Sequence, residues 1–495
     1  MNSTLRTFQE LNMRVLFRLI LLTCCCGTAG AEEFEKPLVR VVDLNIGESQ
    51  EVTLHNNETC RIKVLDVREK RDQVMHAIRQ IEVDVKVNGQ KATMISGLYR
   101  LPRFVGGVQI DCPVTANYNR DSHVNHWGIV KDVRFRLWPK DSDWIHPNSF
   151  VYPVGQRWFA SQTWFSNEAV SARSGGKFYY HAGLDLGASE YLTPVFAATD
   201  GRVVSVAGNS DDNLPKAAVQ PRYDVIYLQD KRGWYYRYSH LSAINTPVQL
   251  GATVKAGQQI GVVGKEGGSG GWTHLHFEIK SLQPSGQWGT QDGYAFLWQA
   301  NREQFSPEVV AVARPRYLVL VDETVRLDAS RSWSKTSQHN YHWDFGDGTA
   351  ASGETAERVY RRPGVYNEIL TVTDANGNSD VDFAVVKVVP PGGTWNSVPI
   401  IHATYHPSIG IRAGDPIVFK VRARYTSEGL DVWDYGDGSP TETVRSNTDP
   451  STHAREGIGY ANTVHRFQKP GRYIVTVRRA TSLGTATDRL VVRVE

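Results

Sequence analysis

The 495-residue sequence predicts an all-β, multidomain protein, and three observations carry that prediction. Apolar and polar residues alternate with period two, as in Val39-Arg-Val41, Ile62-Lys-Val64 and Val83-Asp-Val85-Lys-Val87, the pattern of strands buried on one face. Turn pairs such as Asn56-Asn57 and Asn88-Gly89 punctuate those runs. The C-terminal part repeats itself: Trp343-Asp-Phe-Gly-Asp-Gly348 with Leu370-Thr-Val-Thr-Asp374 returns as Trp433-Asp-Tyr-Gly-Asp-Gly438 with Val475-Thr-Val477. At about 150 residues per domain the length allows three to four domains.

Taken in order, residues 1–31 read as a signal peptide. Arg14 and Arg18 precede the apolar run from Leu19 to Cys26, and Ala29-Gly-Ala31 offers a small-x-small cleavage site. Met13 is an alternative start. Leu21-Leu22-Thr23-Cys24 approaches a lipobox, but Thr before the cysteine is a poor fit, so cleavage at Ala31 and a secreted product, extracellular or periplasmic, are expected. Residues 32–149 form a β-rich N-terminal domain without an evident catalytic constellation. Residues 150–303 hold the chemistry described below. Residues 304–391 and 394–495 are the repeated modules, joined by Pro390-Pro-Gly-Gly393.

Removal of residues 1–31 takes away three arginines and one glutamate, and the formal charge falls from +3 to +1. A nearly neutral mature chain argues against nucleic-acid binding, and no later apolar run is long enough to span a bilayer. Three of the five cysteines go with the signal, which leaves Cys60 and Cys112. In an oxidising compartment these two are expected to form one disulfide.

The chemistry lies in His181-Ala-Gly-Leu-Asp185, Tyr238-Ser-His240-Leu and Thr273-His274-Leu-His276-Phe-Glu278. Two imidazoles and a carboxylate suffice to hold one zinc ion with a coordination position open, and two further imidazoles remain to act on what enters it. On a strand His274 and His276 face the same way, about 6–7 Å apart, so one can ligate while the other stands over a bound water. His181 and Asp185 on one straight strand would be about 13 Å apart, too far for one ion. Gly183 allows a bend between them. Glu278 shares the face of the two histidines and is read as a supporting carboxylate rather than a general base. The pair His123 and His126 has ligand-like spacing without a carboxylate or cysteine framework, and reads as a loop. No His-Glu-x-x-His helix occurs in the chain.

With HAGLDLGA, TPVFAATDGRVV, YSHL and VKAGQQIGVVGKEGGSGGWTHLHFEI, residues 150–300 resemble the lysostaphin/LytM-type zinc endopeptidases. The resemblance implies an antiparallel β-sheet peptidase domain, zinc on His181, Asp185 and His276, and His240 with His274 as the catalytic pair; how those two divide the work stays open. It further implies a substrate in the peptide stems or cross-bridges of bacterial cell-wall peptidoglycan. Gly-rich extracellular proteins, or a catalytically silent regulatory role, are the alternatives. The segment Asn209–Tyr223 departs from the family as an enlarged loop where groove walls lie, and Gly267–Gly271 replaces its usual small-residue turn. The two C-terminal repeats resemble polycystic-kidney-disease (PKD) domains, small immunoglobulin-like β-sandwiches. Their Gly-Asp-Gly segments read as structural turns rather than calcium sites. They are expected to bind a polysaccharide or protein surface and hold the enzyme near an insoluble substrate.

Overall fold

The Asn88-Gly89 pair makes the turn its sequence predicts. Both residues take positive φ, 46° and 90°, and a two-residue turn of this hand joins Ile78–Val87 to Gln90–Ile95. The computed structural model describes residues 34–171, 178–337, 339–448 and 459–495. The expected signal peptide and lipobox lie outside the described residues.

The N-terminal segment stacks two antiparallel sheets. One runs Arg40–Leu44, Val133–Pro139, Val108–Thr115, Arg103–Val105, and the other Ser49–Thr53, Thr59–Arg71, Ile78–Val87, Gln90–Ile95. Alternation decides which side chains meet: Cys60, Ile62 and Val64 are buried while Arg61 and Lys63 point outward. Cys60 and Cys112 share the core between the sheets, yet both are free buried thiols. The expected disulfide is therefore not formed. The two residues sit on strands of different sheets, and each fills its layer of the core as a small apolar group.

The central segment is built on an antiparallel sheet in the order Asn209–Ser210, Gly201–Val206, Ile226–Gln229, Tyr235–Ser239, His274–Leu282, Leu184–Gly187, Thr163–Trp164. A smaller sheet of Pro194–Phe196, Gln259–Val263 and Leu241–Ile244 packs nearby. Leu184, Leu186, Leu275 and Phe277 face the buried side. Their neighbours Asp185, His274 and His276 therefore face the other side by strand parity.

The WDFGDG and WDYGDG repeats occupy matching places. Trp343 ends up at 0% exposure in one module core and Trp433 at 0% in the other, each on the strand that leads into its Gly-Asp-Gly turn. The turns are held locally. Asp347 accepts from the backbone N–H and hydroxyl of Thr349 and pairs with Arg358, while Asp437 binds Ser439 and His465. A short parallel pairing, Gly364 to Thr485 and Val365 to Ala486, merges the strands of the two modules into one nine-stranded sheet. The protein is thus all-β, with only two α-helices among the described residues, Ala116–Ser122 and Tyr294–Phe305. Neither of them is long enough to cross a membrane.

By their contacts, residues 35–495 form one unit. The second C-terminal module packs on the central segment through buried polar groups. Ser189 donates to Thr404 at 2.9 Å, Lys420 donates to the Glu190 carbonyl at 2.9 Å, and Arg424 donates to the Gly270 carbonyl at 2.5 Å. The second module is thus packed directly against the central segment.

Candidate metal and catalytic centre

His181 follows the strand Phe178–Tyr180, and Asp185 lies in the next strand, Leu184–Gly187. The chain turns at Gly183, whose φ is 88°. A Cβ at Gly183 would lie 2.9 Å from the Phe277 carbonyl oxygen and 3.2 Å from His276 Cε1, so only glycine fits both the space and the backbone. That bend brings His181 Nε2 to 3.1 Å from Asp185 Oδ1, where a straight strand would have separated them. Strand pairing then sets Asp185 opposite His276, and His276 Nδ1 lies 2.8 Å from the same oxygen.

The donor atoms of His181, Asp185 and His276 all lie within 4.8 Å of one another. Ligand atoms on a tetrahedral ion with bonds of about 2.0–2.1 Å are themselves about 3.3 Å apart; the 3.1 Å separation is near such an edge, and the 2.8 Å one is a hydrogen bond that a small opening would convert. The donor set, two imidazole nitrogens and one carboxylate oxygen, is that of a site that could hold a divalent cation such as zinc. It is the one such cluster of three or more found among the described residues. His123 and His126 are not part of it. His123 caps the helix Ala116–Ser122 in the left-handed region, and His126 lines the outer cleft.

Electrostatics hold Asp185 and His276 in the forms that ligate a metal. Burial pushes the Asp185 carboxyl up, but the neighbouring charges of His181 and His274 and the bonds from His181 and His276 outweigh it and hold the group well below its usual range. Burial lowers His276 to about 4, and it also holds His274 well below the usual imidazole range. For His181, burial works downward but the Asp185 carboxylate prevails and raises it.

The other two histidines stand beside this cluster. The ring centroids of His240 and His274 are 4.7 Å apart, and His274 Nε2 is 3.4 Å from Asp185 Oδ2. Each has its Nδ1 tied to a backbone carbonyl, His240 to Glu266 at 2.6 Å and His274 to Trp272 at 3.1 Å. A carbonyl only accepts, so both Nδ1 atoms carry the proton and both rings leave Nε2 as the basic atom. His240 holds a left-handed backbone, φ 68°, between the strands Tyr235–Ser239 and Leu241–Ile244. Asp224 secures that strained residue: its Oδ2 accepts the His240 backbone N–H at 3.0 Å and lies 3.5 Å from the ring Nδ1. Arg222 pairs with Asp224 in turn.

Glu278 is placed as a supporting group. It accepts from Thr290 at 2.7 Å and pairs with Lys280 at 2.8 Å. Burial raises its carboxyl, but Lys280, His276 and Arg237 overcome this and bring it down to about 2. It is an ionised partner of cations, poorly suited to take a proton near neutral pH.

Sequence reasoning missed Asp224, Trp272 and His402. The Trp272 ring stacks on His274, and its edge meets His402 of the second C-terminal module at 4.9 Å. A hydrogen-bond chain runs behind it. Thr273 N–H donates to Tyr460 Oη at 3.0 Å, Tyr460 donates to His402 Nδ1 at 2.6 Å, His402 Nε2 donates to Ser161 Oγ at 3.2 Å, and Ser161 donates to the Ala403 carbonyl at 2.6 Å. The site opens into a cleft of about 1430 Å³. The enlarged loop contributes Ala217, Ala218, Gln220 and Arg222 to its wall, and the glycine-rich turn contributes Gly267 to Gly270.

Comparison with known proteins places this geometry. Residues 179–287 match peptidase family M23. All five histidine and aspartate positions fall inside that match. Residues 306–388 match the PKD domain. Among curated proteins, the chain is 35% identical over 83 residues to collagenase ColA of Clostridium perfringens (strain 13 / Type A), a stretch of 17% of this chain and 8% of that protein's length. Among solved structures, Helicobacter pylori Csd3 in its orthorhombic crystal aligns over 52% of this chain and 82% of its own, at 15% identity and TM-score 0.21. The fibronectin(III)-like modules of Clostridium thermocellum CbhA align over 38% of this chain and 94% of their own, at 17% identity and TM-score 0.14.

Proposed function

We propose that this chain is a secreted zinc endopeptidase that hydrolyses peptide bonds in the stems or cross-bridges of bacterial cell-wall peptidoglycan. The observation that carries the reading is the convergence of His181, Asp185 and His276 with two further histidines, both presenting Nε2, inside an M23-matching segment. Secretion rests on the charged, apolar and small-residue pattern of residues 1–31.

In this reading His181, Asp185 and His276 hold the ion. Zinc supplies Lewis acidity, which acidifies water and polarises the scissile carbonyl. His240 and His274 do the proton work: one Nε2 takes the proton of the attacking water, and the other, once protonated, donates to the oxyanion or the leaving amine. The Glu266 carbonyl fixes the tautomer of His240, and Asp224 holds its backbone in place. The cleft encloses the substrate peptide and keeps bulk water from competing for these hydrogen bonds.

The 83-residue likeness to a collagenase favours a second reading, in which the substrate is a Gly-rich extracellular protein. Mass spectrometry of fragments released from purified peptidoglycan, run beside a Gly-rich protein, decides between the two. Release of muropeptides with new peptide termini supports the first reading, and cleavage confined to the Gly-rich protein supports the second.

A further inference from the structure

Away from the histidines, the cleft is lined by three cations, Arg316, Lys387 and Arg424, set among Trp164, Trp395 and Tyr425. Lys387 is 3% exposed, and its Nζ is buried without a hydrogen-bond partner. Burial and the neighbouring Arg424 and Arg316 push this ammonium well below the usual lysine range, a penalty that an anion entering the cleft would relieve. Arg316 donates to the neutral Gln162 Oε1 at 2.7 Å and Arg424 to the Gly270 carbonyl, and neither contact supplies a counter-charge. The nearby carboxylates are committed elsewhere. Glu168 accepts from Tyr99 and from the Phe165 backbone, and Asp488 accepts from Gln162, Ala403, Asn367 and its neighbour Arg489.

The aromatic rings are occupied as well. Arg316 lies 3.9 Å from the centroid of Trp164, and Lys387 Nζ lies 4.2 Å from that of Trp395 and 5.5 Å from that of Tyr425. Each ring carries a cation on one face. The rings fix the cations in place, so an incoming anion meets a preorganised site. Arg424 is fixed too, through its bond to the Gly270 carbonyl in the turn that leads to His274.

We infer that Lys387, Arg316 and Arg424 form a carboxylate-binding subsite that anchors a free carboxylate of the peptide substrate while another part of that peptide lies at the histidine cluster. This deepens the endopeptidase reading and rests on it. The subsite is assembled by the two C-terminal modules, Lys387 coming from the strand Ser379–Val389 and Arg424 from Ile417–Arg424. Those modules thereby take part in choosing the substrate, not only in holding the enzyme on a surface.

The test compares two soluble peptides, a muropeptide and a glycine-rich peptide, each with its carboxylates free and each with them converted to primary amides. Binding is read by calorimetry on the full-length His274→Ala chain, and KM and kcat are read on the active chain. The expected result is binding about tenfold weaker for the amide of whichever peptide is recognised, as for loss of a charge-assisted hydrogen bond, seen in KM rather than kcat. Lys387→Met, which keeps the volume and removes the charge, should cut the acid-to-amide ratio to less than about twofold. Arg316→Gln, at a less buried position, should lower it in the same direction. Equal binding of acid and amide, or an unchanged ratio in both variants, overturns the inference. So does failure of all four peptides to bind. Preference for the free acid of the glycine-rich peptide alone would keep the subsite and remove the cell-wall substrate.

Discussion

The indole of Trp272 lies flat against the imidazole of His274, with centroids 4.0 Å and planes 19° apart. Stacking holds the ring of His274 in one orientation, and the Trp272 carbonyl holds its Nδ1 proton, so Nε2 is aimed toward Asp185 without a carboxylate partner on Nδ1.

Replacing that indole should therefore loosen a catalytic ring without touching the metal donors. Trp272→Leu is expected to retain its metal and to lose about tenfold or more in kcat, since misplacement of a reacting group by a fraction of an ångström is costly. Metal content and kcat of the purified variant check this. Unchanged kcat would mean that stacking does not position His274.

Asp224 holds His240 by both backbone and ring. Asp224→Ala should keep metal and lose about a hundredfold in kcat, the range for disabling a general acid or base, while Asp224→Asn should recover part of the loss because its amide oxygen can still accept the His240 N–H. Equal kcat for the two variants would count against a positioning role.

Glu278 is predicted to be structural. Glu278→Gln should keep activity within about tenfold and lower the melting temperature, because it leaves Lys280 without its buried counter-charge. A loss of several orders of magnitude in kcat with full metal content would reinstate it as the base.

Deleting residues 394–495 is predicted to impair cleavage even of a short soluble peptide. The sequence suggests an accessory module that holds the enzyme near its substrate, but the structure also has Tyr460, Arg422 and Arg424 bonded to Thr273, Gly271 and Gly270, next to His274. Tyr460→Phe removes one of these bonds together with the bond to His402 Nδ1. It strips the Thr273 N–H of its acceptor, an orphaned buried donor worth about 1–3 kcal/mol, and should reduce turnover several-fold. Full soluble-peptide turnover by a folded truncated chain would restore the accessory view.

What was legible in the sequence follows from where the information lies. The His-x-His parity, the Gly183 bend and the repeated Trp-Asp-aromatic-Gly-Asp-Gly strands are local, set by the period of a strand and by the backbone freedom of glycine. The all-β class follows from the same alternation. Asp224, Trp272 and His402 were not legible, because each acquires its role from a partner brought close only by the folded sheets. The Trp272 contact to His402 crosses from the M23 segment to the last module. Cys60 and Cys112 show the converse. Their count implied a bridge, whereas the layering of two sheets keeps them apart as apolar fillers.

The account stands most directly on the division of labour within the strand His274–Leu282. The measurement is zinc content beside turnover for folded His181→Ala, Asp185→Ala, His276→Ala, His274→Ala and His240→Ala chains. The first three should lose zinc and activity together, because two remaining protein donors hold the ion too weakly. His274→Ala and His240→Ala should keep stoichiometric zinc and lose about a hundredfold or more in turnover. A His274→Ala chain that has lost its zinc or keeps near-full activity, or a His276→Ala chain that retains the metal, would contradict the account.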